Sequence, residues 1–153
     1  MNLATAMIVG LSQWYVSDLV IMENIMAEES SKSLPQPLKV LEGMELASIV
    51  FVRDYCQLHF EEPVQDFSDP ILTIFTPPNL ILGGNRYGWE TSDFCGFIRK
   101  CIGVSVEIAS ITEVEIFLKF VNSISISISL KQEDYEGPEA AMFSSNHSST
   151  WIW

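Results

Sequence analysis

Alternation of apolar and polar residues is the strongest pattern in this chain. Ile124, Ile126, Ile128 and Leu130 alternate with Ser125, Ser127 and Ser129, the period of two expected of a strand with one buried face. An uncharged strand of this kind would aggregate at an exposed edge, so it is expected inside a sheet or under cover. Upstream, Val104, Val106 and Ile108 predict a strand that runs to a turn near residues 112–115, and Ile116, Leu118 and Phe120 predict its return. Keeping the isoleucines on the face of Leu118 and Phe120 requires an odd loop, which Val121-Asn122-Ser123 supplies. The first half follows the same rule. Met44, Leu46, Val50 and Val52 share parity with Cys56, Leu58 and Phe60, which predicts a hairpin whose loop is Arg53-Asp54-Tyr55. Residues 71–75 predict a further strand, ended by Thr76-Pro77-Pro78. Residues 80–82 predict a short one, and residues 151–153 a last one with both tryptophans on one face.

Helical spacing appears twice. Leu11, Trp14, Tyr15, Val16, Leu19, Met22, Ile25 and Met26 predict an N-terminal helix over residues 1–27 that docks on the domain or a partner. Phe94, Phe97, Ile98, Cys101 and Ile102 form one apolar stripe, predicting a helix at 91–102. Thr91-Ser92-Asp93 offers its caps and Gly103 a left-handed stop. Residues 28–37, polar and punctuated by Pro35 and Pro37, read as a linker. Residues 38–153 then form a single α+β domain.

Residues 43–60 align without a gap on residues 103–120. Both segments open on Gly and close on Leu-x-Phe, although only three positions in eighteen are identical. The echo predicts that two parts of the body are built alike. The expected fold is α+β: two antiparallel β-meanders forming one sheet or a half-open barrel, with the helix at 91–102 and the N-terminal helix.

Charge narrows the partners. Eight Lys and Arg stand against twenty Asp and Glu, a net charge of -12. Such a field repels nucleic acid and anionic membranes and attracts a basic protein. Residues 1–17 lack charge but are broken by Asn2, Thr5, Ser12, Gln13 and Ser17, so they fall short of the ~20 apolar residues a span needs. With no basic residue before Lys32, the n-region of a signal peptide is absent. Cys56, Cys95 and Cys101 form no Cys-x-x-Cys pair, and His59 and His147 have no ligand-like spacing with them. They read as small core residues in a reducing cytoplasm, with no metal and no cofactor implied.

No nucleophile elbow or phosphate loop is present, so no catalytic residue is assigned. The candidate binding residues are Glu61, Glu62, Asp66 and Asp69 in an acidic loop, together with Arg86, Tyr87 and Trp89 in the Gly-rich stretch 83–89. For that stretch a turn whose Trp89 caps the core is the simpler reading.

Phe51-Val-Arg-Asp-Tyr-Cys-Gln-Leu-His-Phe60, the Ile102-Gly103 stop, and Ile128-Ser-Leu-Lys-Gln-Glu-Asp-Tyr-Glu-Gly-Pro-Glu-Ala-Ala141 resemble a family of small uncharacterised bacterial proteins. Asp-Tyr-x-Gly-Pro-Glu-Ala is the most specific part, and no assigned activity comes with the resemblance. In size and acidity the chain is also similar to immunity proteins that neutralise basic toxin domains. Three functions follow as expectations. The first is a non-catalytic acidic binding protein, in one form an immunity-type inhibitor. The second is a self-associating structural or regulatory module, a homo-oligomer. The third is an enzyme or small-ligand carrier with a pocket between sheet and helix.

Overall fold

The computed structural model describes residues 35–62, 70–145 and 148–153. The expected N-terminal helix lies outside these residues, as does most of the linker. In the compact unit Gln36–Trp153 the described strands are β1 (Glu45–Val52), β2 (Tyr55–Glu61), β3 (Ile71–Ile74), β4 (Asn79–Leu82), β5 (Asn85–Gly88), β6 (Val106–Ile111), β7 (Glu115–Phe120), β8 (Ser125–Ser129), β9 (Ala141–Ser145) and β10 (Ser148–Ile152). One short helix, α1 (Phe94–Ile98), continues into a 3-10 turn, Arg99–Cys101. Further 3-10 turns occupy Pro37–Leu41 and Gln132–Asp134.

The strands form two antiparallel five-stranded sheets, ordered β1-β2-β3-β9-β10 and β5-β4-β8-β7-β6. The expectation of one sheet is corrected accordingly: the described strands form two antiparallel sheets and no closed barrel. One contiguous core joins them, with Leu46, Leu58, Phe60, Leu72 and Phe143 from the first sheet and Leu80, Val106, Leu118, Phe120 and Ile126 from the second. The sheets are laced at a seam between the start of β1 and the start of β6. There Gly43 N–H donates to Val106 O at 2.9 Å and Gly103 N–H to Leu46 O at 2.8 Å. Val106 N–H donates to Met44 O at 2.9 Å and Leu46 N–H to Val104 O at 3.2 Å.

These four bonds form two pairs related by a 60-residue shift, Gly43 exchanging with Gly103 and Leu46 with Val106. The same shift relates the two short turns before β1 and β6, the positive φ of Gly43 (91°) and Gly103 (74°), and the pairing of Leu46 with Phe60 and Val106 with Phe120. Exchanging β1–β5 with β6–β10 converts one sheet order into the other. The domain is therefore a structural duplication with a pseudo-two-fold axis at the Glu45–Ser105 bridge. Each half gives three strands to its own sheet and lends a hairpin, β4–β5 or β9–β10, to the other.

The duplication also explains why the faint sequence echo looked imperfect. A register shift lies between Leu46 and Ser48 in β1 and between Val106 and Ile108 in β6. One extra residue at each bulge turns the rest of the strand over. Beyond it Ile49 and Ala109, not Val50 and Ile108, lie opposite Leu58 and Leu118. Val50 and Ile108 are exposed, so the parity expected for Val50, Val52 and Ile108 is wrong. The first hairpin correspondingly turns on two residues, Arg53 and Asp54, with Val52 paired to Tyr55. By contrast the odd loop Val121-Asn122-Ser123 forms as expected, closed by Phe120 N–H to Ile124 O at 2.9 Å. Ser123 supplies the left-handed residue, φ 67°.

The Ile/Ser strand is β8, interior between β7 and β4 with Ile124, Ile126 and Ile128 fully in the core. The helix is shorter than its apolar stripe. Phe94, Ile98 and Cys101 are buried, whereas Ile102 has left the helix and is exposed. Asp93 makes no side-chain cap; Thr91 Oγ1 instead donates to Gly88 O at 2.7 Å. Cys56 and Cys101 are core residues, but Cys95 is exposed, because it faces away from the stripe.

Candidate functional site

The β4–β5 hairpin turns on Gly83 and Gly84, φ 58° and 81°, the two left-handed residues that a tight hairpin turn demands. What read as a loop over residues 83–89 is therefore mostly strand. Strand alternation then separates the expected binding residues. Tyr87 packs on Phe97, ring centroids 4.6 Å apart, and Trp89 lies between Phe51 at 5.6 Å and Phe94 at 5.3 Å. Both are half-buried against the core. Arg86, exposed, lines a groove on the outer face of the second sheet. Glu61 and Glu62 are exposed at the end of β2. Asp66 and Asp69 lie outside the described residues. The described members thus form no single constellation.

The groove, about 310 Å³, is lined by Asn79, Arg86, Val114, Glu115, Ser127, Ser129, Lys131 and Asp134. It lies on the outer face of the sheet, not between sheet and helix where a pocket was expected. β8 supplies Ser127 and Ser129 because its isoleucines take the core face. Register places Asn79 beside Ser127 and Glu115 beside Ser129. The Ser127 hydroxyl donates to Glu115 Oε1, and the Ser129 hydroxyl to Asp134 Oδ2 at 2.5 Å. Lys131 N–H donates to Ser129 Oγ at 3.2 Å, which folds the 3-10 turn Gln132–Asp134 over the strand end. Among the groove residues only Arg86 belongs to the candidate binding residues read from the sequence. The available signal for the others was the outward-facing serine row of β8.

The equivalent face of the first sheet is built differently. Where the groove has Glu115 beside Ser129, this face has Tyr55 and Phe75, ring centroids 5.5 Å apart. Where it has Asn79 beside Ser127, Met142 pairs with Thr73, whose hydroxyl accepts from Gln57 Nε2 at 3.3 Å. His59, half-buried on this face, has an Nε2 shielded from solvent and without a partner among the described residues.

A second feature lies at the start of β1. Glu45 pairs directly across the sheet with Glu61, and Glu62 follows. Like charges in that position destabilise a sheet. Among the described residues the ion pairs are Lys39–Glu42 and Lys119–Glu107, both 2.7 Å, so none neutralises this pair.

Three titration shifts follow from the packing. Hydrogen bonding by Lys39 Nζ, and secondly by Ala109 N–H at 2.9 Å, holds the Glu42 carboxyl below its usual range. Burial pushes the Cys56 thiol up to about 12. Burial also pushes Cys101 up to about 12, against an opposing hydrogen bond with Asn122. Among the described residues no three His, Cys, Asp or Glu side chains gather as metal ligands. None of the described helices is long and apolar enough to cross a membrane. Comparison with protein-family models, with curated proteins and with solved structures gives no match.

Proposed function

We propose that this chain is a non-catalytic binding protein that presents an acidic surface to a basic protein partner, in the manner of an immunity-type inhibitor. The Glu45–Glu61 cross-strand pair carries this reading. Direct opposition of two carboxylates is unfavourable to the sheet. A cationic side chain from a partner would remove that cost, so the free protein holds an acidic patch whose repulsion is relieved on binding. The excess of twenty acidic over eight basic residues speeds encounter with such a partner and makes association salt-sensitive.

The test is affinity capture from the producing cells, comparing the native chain with a Glu45→Lys, Glu61→Lys, Glu62→Lys variant shown to be folded by circular dichroism. Capture of a basic protein that is lost in the variant and weakens as salt rises supports the reading. Capture indifferent to charge reversal and to salt, or no basic protein captured, removes it.

A further inference from the structure

The pseudo-two-fold supplies an internal control for reading the groove. Both outer faces stand on the same strand order and matching registers. A residue required by that architecture should find a similar residue at its counterpart. Around the groove most do not: Glu115 corresponds to Tyr55, Ser129 to Phe75 and Asn79 to Met142, and only Ser127 keeps its character, as Thr73. One sheet folds with a mainly apolar set at these positions, so folding alone does not call for the polar set on the other.

The polar set is also ordered. Each serine proton is held by a carboxylate, Ser127 by Glu115 and Ser129 by Asp134, which orients the carboxylates and leaves each a second oxygen. Ser127 itself is only 3% exposed. Arg86 and Lys131 line the same groove yet form no ion pair among the described residues, whereas Lys39 and Lys119 do. Arg86 is thus held apart from the carboxylates. Across β5-β4-β8-β7 Arg86 stands level with Ser125 and Glu115 level with Ser129, so their backbones are three strand spacings and four residues apart, roughly 20 Å, which two long side chains shorten to the length of a small molecule. Asn79 lies between them.

We infer that this groove binds a small zwitterion of amino-acid or dipeptide size. Its carboxylate meets Arg86, its ammonium meets Glu115 and Asp134, and the Asn79 amide bonds the polar middle. The groove's volume of about 310 Å³ falls at the small end of ligand sites. A simple anion would face the two carboxylates and a simple cation the two bases, so either is opposed by half of the site. A ligand with both charges leaves neither half unpaired. This inference is independent of the acidic patch at Glu45 and Glu61.

The experiment is a titration of the isotope-labelled full chain with alanylalanine, with alanine, and with the N-acetyl and C-amide derivatives of the dipeptide, followed by amide NMR. Alanylalanine or alanine should shift Asn79, Arg86, Ser127 and Ser129 while Thr73 and Met142 stay in place. Each blocked derivative should bind about tenfold more weakly or worse. Arg86→Gln and Asp134→Asn change exposed side chains and leave the core intact; each should reduce binding by a similar factor. Glu45→Lys should leave it unchanged. Absence of groove shifts at about 10 mM ligand, equal binding by the blocked derivatives, or equal shifts on both faces overturns the inference.

Discussion

On their inner sides the two sheets are near-copies. Leu58 and Phe60 in β2 match Leu118 and Phe120 in β7, and Leu46 matches Val106, each pair buried. On their outer sides they part: one carries Tyr55, Phe75 and Met142, the other Glu115, Ser129 and Asn79 in a groove. The seam and core depend on the identity of inward residues, because the two-fold forces both halves into one shared interior. The outer faces carry no such mutual constraint. Divergence there is where chemistry can enter without disturbing the fold.

The comparison can be broken most severely in the core. Phe60→Ala and Phe120→Ala should each lose about 3–5 kcal/mol in urea unfolding, by similar amounts, since both are fully buried at equivalent positions. Very unequal losses would show that the halves share a path but not a packing. The seam comes next. Gly43→Ala and Gly103→Ala should each cost about 1–2 kcal/mol, because both need positive φ while a Cβ at either meets no atom within 4 Å. A cost at only one would mean that one arm alone holds the sheets together.

Writing one face onto the other is the milder trial. Glu115→Tyr with Ser129→Phe should leave stability within about 1 kcal/mol and erase the groove. Unfolding of that variant would make the polar set architectural. The two buried cysteines, one in each half, should behave alike: at neutral pH native protein should alkylate at Cys95 alone, with Cys56 and Cys101 protected by burial and thiols raised to about 12. Mass spectrometry before and after unfolding counts them.

The smallest effect belongs to Glu42, whose counterpart Ile102 carries no carboxylate. Its lowered pKa means that its contribution is present at neutral pH. The contribution is lost as pH falls below the ordinary 4.5 and through the folded-state value. Hydrogen-exchange protection at Ala109 should fall in that acid window, and in Glu42→Gln it should vary less with pH.

Elements whose pattern is local were legible in the sequence. Ile124 to Leu130 announced an interior strand, Gly103 a left-handed stop, and residues 121–123 an odd loop. The bulges were not, because one inserted residue reverses parity while the apolar count stays the same, as Val50 against Ile49 shows. Hairpin exchange was illegible for a different reason. Nothing in residues 79–82 states that they pair with β8 rather than with β3, a choice made by the shared core. The groove followed the same fate, since Asn79, Arg86, Glu115 and Ser127 meet only after sheet order is set. Of the acidic residues proposed for binding, Glu61 acquired meaning only when its partner across the sheet proved to be Glu45.

The exchanged hairpins also set the order in which the chain can fold as it is made. When β4 and β5 leave the ribosome, the strand that must receive them, β8, has not been synthesised. β3 likewise waits with one edge open until β9 arrives. Neither half can complete a sheet by itself, and the long-range pairings that close both are slow to form. During synthesis the first half therefore exposes apolar strands to the cell, and this is the interval when it is most exposed to aggregation and most dependent on chaperones.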